Sequence, residues 1–178
     1  MSKKDLKKEL ENMTSEQLRQ LILEAYSAKK EIKSYFDFFV NPDSEKLFEK
    51  YRIMIAKELD RSKRGGYAKG RISMIKRLIS EFESYQPGYR YEIDLMLFTV
   101  SYSLLAEMGL HFPDTLMRGT AWIMRRALDK ADLNLEADSA VASVRAMLGD
   151  DSVGSRYFKR FLKEELEDYL SGVSPVSR

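Results

Sequence analysis

The sequence predicts an all-α fold. Three observations point there: apolar residues recur at helical spacing in eight segments, no segment sustains strand alternation, and the breaks between segments fall largely at Pro, Gly and Asn. The elements follow in order. Ser2 to Asn12 reads as a short first helix, with Asp5 three residues after Ser2 as a cap and Leu6 and Leu10 as an i, i+4 pair. Thr14 and Gln17 repeat the capping spacing, and Leu18, Leu21, Ile22, Ala25, Ile32, Phe36 and Phe39 trace one face of a helix running to about Val40. Asn41-Pro42 stops it, because the residue before proline avoids helical backbone.

Asp43 or Ser44 opens the third helix, whose stripe is Leu47, Phe48, Tyr51, Ile55 and Leu59. A basic loop over 61–70 holds Gly65-Gly66, and Ile72, Ile75, Leu78, Ile79 and Phe82 mark a fourth helix. Gln86-Pro87-Gly88-Tyr89 has the residue placement of a type II turn. The fifth helix, about 91–108, is apolar nearly all round, as a helix at the centre of a fold should be. Asp114 caps a sixth helix to about Ala131, Glu136 or Asp138 opens a seventh, and Ser155 starts an eighth. The expectation is a single helical domain over 1–170 with a loose tail over 171–178. Its helices should pack as antiparallel hairpins, forming either an irregular superhelix, favoured by the number of helices, or a compact bundle around the 91–108 helix.

The stretch Lys30-Glu31-Ile32-Lys33-Ser34-Tyr35-Phe36-Asp37-Phe38-Phe39-Val40-Asn41-Pro42, followed by Leu47-Phe48-Glu49-Lys50-Tyr51, resembles the opening of an uncharacterised bacterial family of small helical proteins. The resemblance lies mainly over residues 1–60 and weakens after Leu59. It implies a long helix, an Asn-Pro break and a second amphipathic helix, and it carries no site residue.

Composition narrows the chemistry. The chain has no cysteine, which removes disulfides, thiol nucleophiles and cysteine-ligated metals. His111 is the only histidine, so one chain cannot build a histidine metal cluster. Glu107 and His111 stand at i, i+4, but Gly109 should end the helix first and leave a loop histidine. Asp94 is either a buried functional acid or a first-turn carboxylate favoured by the helix dipole, and the second reading is the stronger. No apolar run reaches the ~18 residues of a membrane span. The Lys-rich N-terminus lacks the apolar core of a signal peptide. A cytoplasmic protein with no metal, no cofactor and no catalytic residue is expected.

Two features remain as sites. The net charge of +2 conceals a partition: residues 1–60 are neutral, 61–80 carry seven basic and no acidic side chains, and 81–178 are net −5. Arg61, Lys63, Arg64, Lys69 and Arg71, with Lys76 and Arg77 beyond, could bind phosphate or a nucleic-acid backbone. The plainer alternative is a solvated loop. In the sixth helix the apolar arc is Leu116, Met117, Ala121, Ile123, Met124, Ala127 and Leu128. Trp122 lies off that arc, among Arg118, Arg125, Arg126 and Asp129. Tryptophan and arginine are enriched at interface hot spots, so these four, Arg118, Trp122, Arg125 and Arg126, are the candidate partner-binding residues. The alternative is that a neighbouring helix covers the indole. The leading expectation is a non-enzymatic interaction module with a protein partner or a second copy of itself. Binding of nucleic acid or another phosphate ligand through 61–77 comes second.

Overall fold

A computed structural model of the chain describes residues 2–62 and 66–172. Among these residues there are nine α-helices and no strand beyond isolated bridges. Tertiary contacts group the chain into two units, Met1–Asp43 and Ser44–Arg178, divided just after the Asn41-Pro42 break.

The first unit holds α1 (Lys3–Glu11), α2 (Ser15–Ala28) and α3 (Lys30–Val40). Both predicted caps form. Ser2 and Thr14 each accept from the amide three residues on, and the Asp5 and Gln17 side chains accept from the cap amides in return. The single helix expected from Thr14 to Val40 is in fact two. Lys29 takes extended backbone (φ −145°, ψ 140°), ending α2 and leaving α3 to restart at once. The Tyr26 hydroxyl donates to the Asp37 carboxylate at 2.8 Å. In one straight helix residues eleven apart would be separated by about 16 Å. The chain folds back at Lys29 instead, and α2 and α3 pack on each other, with the Tyr26 and Phe36 rings 6.5 Å apart. None of the three helices carries a buried residue.

The second unit is an all-helical compact bundle of α4 (Ser44–Leu59), α5 (Ile72–Ser84), α6 (Tyr89–Gly109), α7 (Asp114–Leu133), α8 (Ala137–Gly149) and α9 (Arg156–Leu170). Its centre is α6, the helix without a polar face, which packs against α4, α5 and α7 and buries Ile93, Leu95, Met96, Val100 and Leu104. Paired contacts give the directions. Tyr51 meets Phe82 and Glu58 meets Arg71, so α4 and α5 are antiparallel. Ser103 meets Thr120 and Glu92 meets Lys130, so α6 and α7 are antiparallel too. Across α5 and α7 the numbers rise together: Ile72 lies against Gly119, Lys76 over Trp122, and Glu83 pairs with Lys130. These two helices, two apart in sequence, therefore lie parallel. Gly119 permits this: a Cβ there would stand 2.0 Å from Ile72 Cγ1.

The connection before α6 differs from the expected type II turn. Gly88 has the positive φ required (112°), but its ψ of 141° is far from the ~0° of that turn. Gln86 takes the left-handed conformation (φ 56°) instead, and α6 starts at Tyr89. Asp94 consequently lies beyond the first turn, and Glu92 is the acid near the helix start. Of the predicted 171–178 tail, Ser171 and Gly172 form a turn and the rest lies outside the described residues. No helix among the described residues is long and apolar enough to cross a membrane.

Candidate interaction face

Most of α7 is enclosed. The predicted arc is buried throughout, and so are Gly119, Thr120, Arg125 and Ala131, because α5, α6, α8 and α9 all pack against this helix. In its central turns only a narrow stripe of Thr115, Arg118, Trp122 and Asp129 is left exposed. Trp122 is the one large apolar side chain there, at 41% exposure. The amphipathic wheel and the packing agree on why: a residue off the arc stays at the surface, flanked by α5 but not covered by it.

Two cations attend the indole. Lys76 Nζ lies 3.8 Å from the ring centroid and Arg126 Cζ 5.4 Å from it. They differ in their other partners. Arg126 also pairs with Glu83, which is shared with Lys130, and Lys130 pairs in turn with Glu92. Burial pulls the Lys130 ammonium down, but its hydrogen bonds to Glu83 and Glu92 prevail and hold it above the ordinary lysine range. Lys76 makes no ion pair among the described residues. Burial, and then the charge of Arg126, hold its ammonium below the ordinary range.

Not all four predicted partner residues share this face. Arg125 is only 8% exposed, donates to Glu165 at 3.4 Å and lies over the Tyr169 ring of α9. It belongs to the α7–α9 contact, because its wheel position flanks the arc and α9 covers that flank. The Asp129 carboxylate lies near the Tyr169 hydroxyl, which burial and then the charges of Asp129 and Asp132 push above the ordinary tyrosine range. Arg118, one turn before Trp122, is exposed on the stripe.

The basic segment is organised around a carboxylate just outside it. Glu58, 8% exposed at the end of α4, accepts from the Arg71 amide at 2.9 Å, Arg71 Nε at 3.1 Å and an Arg61 guanidinium nitrogen at 3.0 Å. Burial raises its carboxyl, but these donors outweigh that and hold it below the usual range. Two of the five predicted phosphate ligands are therefore engaged with Glu58. Lys69 is exposed, and Lys63 and Arg64 lie outside the described residues. The far end of the loop is tied to the α6–α7 connection: the His111 amide donates to Gly66 O at 2.8 Å and the Ala68 amide to His111 O at 3.0 Å. His111 is thus an exposed loop residue whose ring lies tilted beside Tyr67, with ring centroids 5.3 Å apart.

The sequence signal for Glu58 exists. It stands seven residues after Tyr51 and three after Ile55, on the buried face of α4. No comparable signal places Lys76 on Trp122, since that contact depends on α5 and α7 becoming neighbours. Asp94 is exposed, and its carboxyl is held above the usual range by desolvation and then by Glu136. No three His, Asp or Glu side chains among the described residues are grouped to hold a metal ion. A depression along α2, lined by Glu16, Arg19, Gln20, Leu23, Glu24 and Ser27, is an open surface of one helix.

Fold and face together define a small all-helical protein with an aromatic–cationic patch on α7. The chain belongs to DUF6155, a family of unknown function, whose model matches residues 1–107. The match extends the early resemblance, which already took in α4, through α5 and most of α6. Lys76 and Glu58 fall inside it, while Trp122 lies beyond it. No curated protein and no solved structure matches the chain.

Proposed function

We propose that this protein is a non-enzymatic helical interaction module that receives a protein partner on the Trp122 face of α7. The observation carrying this reading is a 41%-exposed indole contacted by Lys76 and Arg126 on a largely enclosed helix. Such a side chain is ordered before binding and offers a large apolar surface at small entropic cost. The phosphate-binding alternative is less well supported, because Glu58 already engages Arg61 and Arg71.

As the sole tryptophan, Trp122 reports on itself. In the isolated monomer it should emit at long wavelength and be quenched by acrylamide. A photo-crosslinking residue at position 122 should capture a partner, or a second copy of the chain, and one at the exposed Arg145 of α8 should not. Trp122→Ala should weaken that association by ~2 kcal/mol or more, with little loss of fold stability. Blue-shifted, unquenchable emission from a verified monomer, with several kcal/mol of destabilisation on truncation, would make Trp122 a core residue and end this reading.

A further inference from the structure

We propose that Lys76 and Trp122 together form the seat for an acidic segment of the partner protein, a carboxylate meeting the Lys76 ammonium and an apolar neighbour of that acid lying on the indole. This rests on the Trp122 face being the binding face and adds the chemistry of what binds there.

Charge complementarity favours an acidic occupant. Around the indole, Lys76, Arg126 and Lys130 face two carboxylates, Glu83 and Glu92. Both carboxylates are already spoken for, Glu83 by Arg126 and Lys130, and Glu92 by Lys130. The surplus positive charge falls on Lys76, which has a ring beneath it and no acid beside it among the described residues. Asp129, two turns beyond Trp122 on the exposed stripe, lies near the Tyr169 hydroxyl of α9. Arg118 extends the stripe by a further cationic side chain one turn away. A partly desolvated ammonium next to a guanidinium is held at an electrostatic cost, which an arriving carboxylate relieves. The part of the indole that Lys76 and Arg126 leave exposed is apolar surface on which an apolar side chain can lie. A nucleic acid would ask for successive basic groups and several stacking rings. This face has one ring, and two arginines of the nearby loop are committed to Glu58.

The test uses the full chain and two blocked peptides lacking tryptophan, one alternating leucine with glutamate and the other leucine with glutamine. Trp122 emission is the readout. The glutamate peptide should give a saturable change that weakens with added salt, and the glutamine peptide should bind about tenfold more weakly or not at all. Lys76→Gln should bring the glutamate peptide down to the glutamine level, while Lys69→Gln leaves it unchanged, with circular dichroism confirming that both variants fold. Equal binding of the two peptides, no effect of Lys76→Gln, or no response to the glutamate peptide would overturn the proposal. So would single-stranded oligothymidylate binding more tightly than the peptide, which would return the site to phosphate chemistry. Acrylamide quenching separates the two levels. A quenchable indole that ignores the glutamate peptide removes only the acidic assignment, whereas an unquenchable one removes the binding face as well.

Discussion

Replacing Glu58 tests whether the basic loop is held by a buried carboxylate. The side chain accepts three kinds of hydrogen bond: from the Arg71 amide, from Arg71 Nε and from Arg61. A buried hydrogen bond to a charged group contributes ~1.5–3 kcal/mol. The Arg71 and Arg61 side chains are 54% and 37% exposed, so solvent screens their share toward the ~0–1 kcal/mol of surface pairs. The amide bond and the two screened pairs then come to about 3 kcal/mol for Glu58→Leu, which leaves the amide without its acceptor. Glu58→Gln keeps an acceptor for the amide and loses only the charge, so about 1 kcal/mol is expected. Urea unfolding followed by far-ultraviolet circular dichroism would measure both, with the slope of the transition unchanged.

Acid provides the second axis. The folded Glu58 carboxyl lies below its ordinary value of 4.5, so its contribution is complete above that value and is lost as pH falls through the folded one. The gap between wild type and Glu58→Gln should be full at neutral pH and close in acid. A Glu58→Leu protein as stable as wild type, or a gap that persists undiminished in acid, would refute the reasoning.

Two further changes probe the packing. Gly119→Ala should destabilise by about 1–3 kcal/mol, because the new methyl would collide with Ile72 where α5 meets α7, and Ile72→Ala in the same chain should recover part of the loss. A thermal-unfolding double-mutant cycle would show that coupling, and simple additivity would argue against the contact. Leu135, 95% exposed in the α7–α8 connection, holds left-handed backbone at φ 60°. Leu135→Gly should therefore stabilise the protein by about 1 kcal/mol, and a loss of stability on that change would contradict the conformation.

Much of the helical order is legible in the sequence because its signals are local. Ser2 with Asp5, Thr14 with Gln17, and Ser155 with the amide of Phe158 are caps readable from spacing alone. The break at Lys29 has no such signal. Ala28, Lys29 and Lys30 are good helix formers, and the fold-back is decided by partners eleven residues apart. Trp122 is placed off the apolar arc by the wheel, but the same wheel puts Arg125 beside it. A wheel describes one helix and cannot know that α9 covers a second side. Segment charge misleads in a similar way. Residues 61–80 hold no acid, yet the carboxylate that organises them sits three residues upstream. Lys76 over Trp122 could not be read at all, since it joins residues 46 positions apart through a parallel pair of helices.

The parallel placement of α5 and α7 has a thermodynamic consequence. Lys76 and Trp122 come from different helical hairpins, and α6 runs between them in sequence. No single hairpin can make the face alone, so it exists only while the second unit is assembled. Anything that grips both residues therefore binds the folded chain and not the unfolded one. Its affinity is then linked to the melting of the whole bundle: a ligand present at a hundred times its Kd would add about 2.7 kcal/mol to unfolding. Candidate partners can be ranked by the melting shift they produce, before any of them is known to act in a cell.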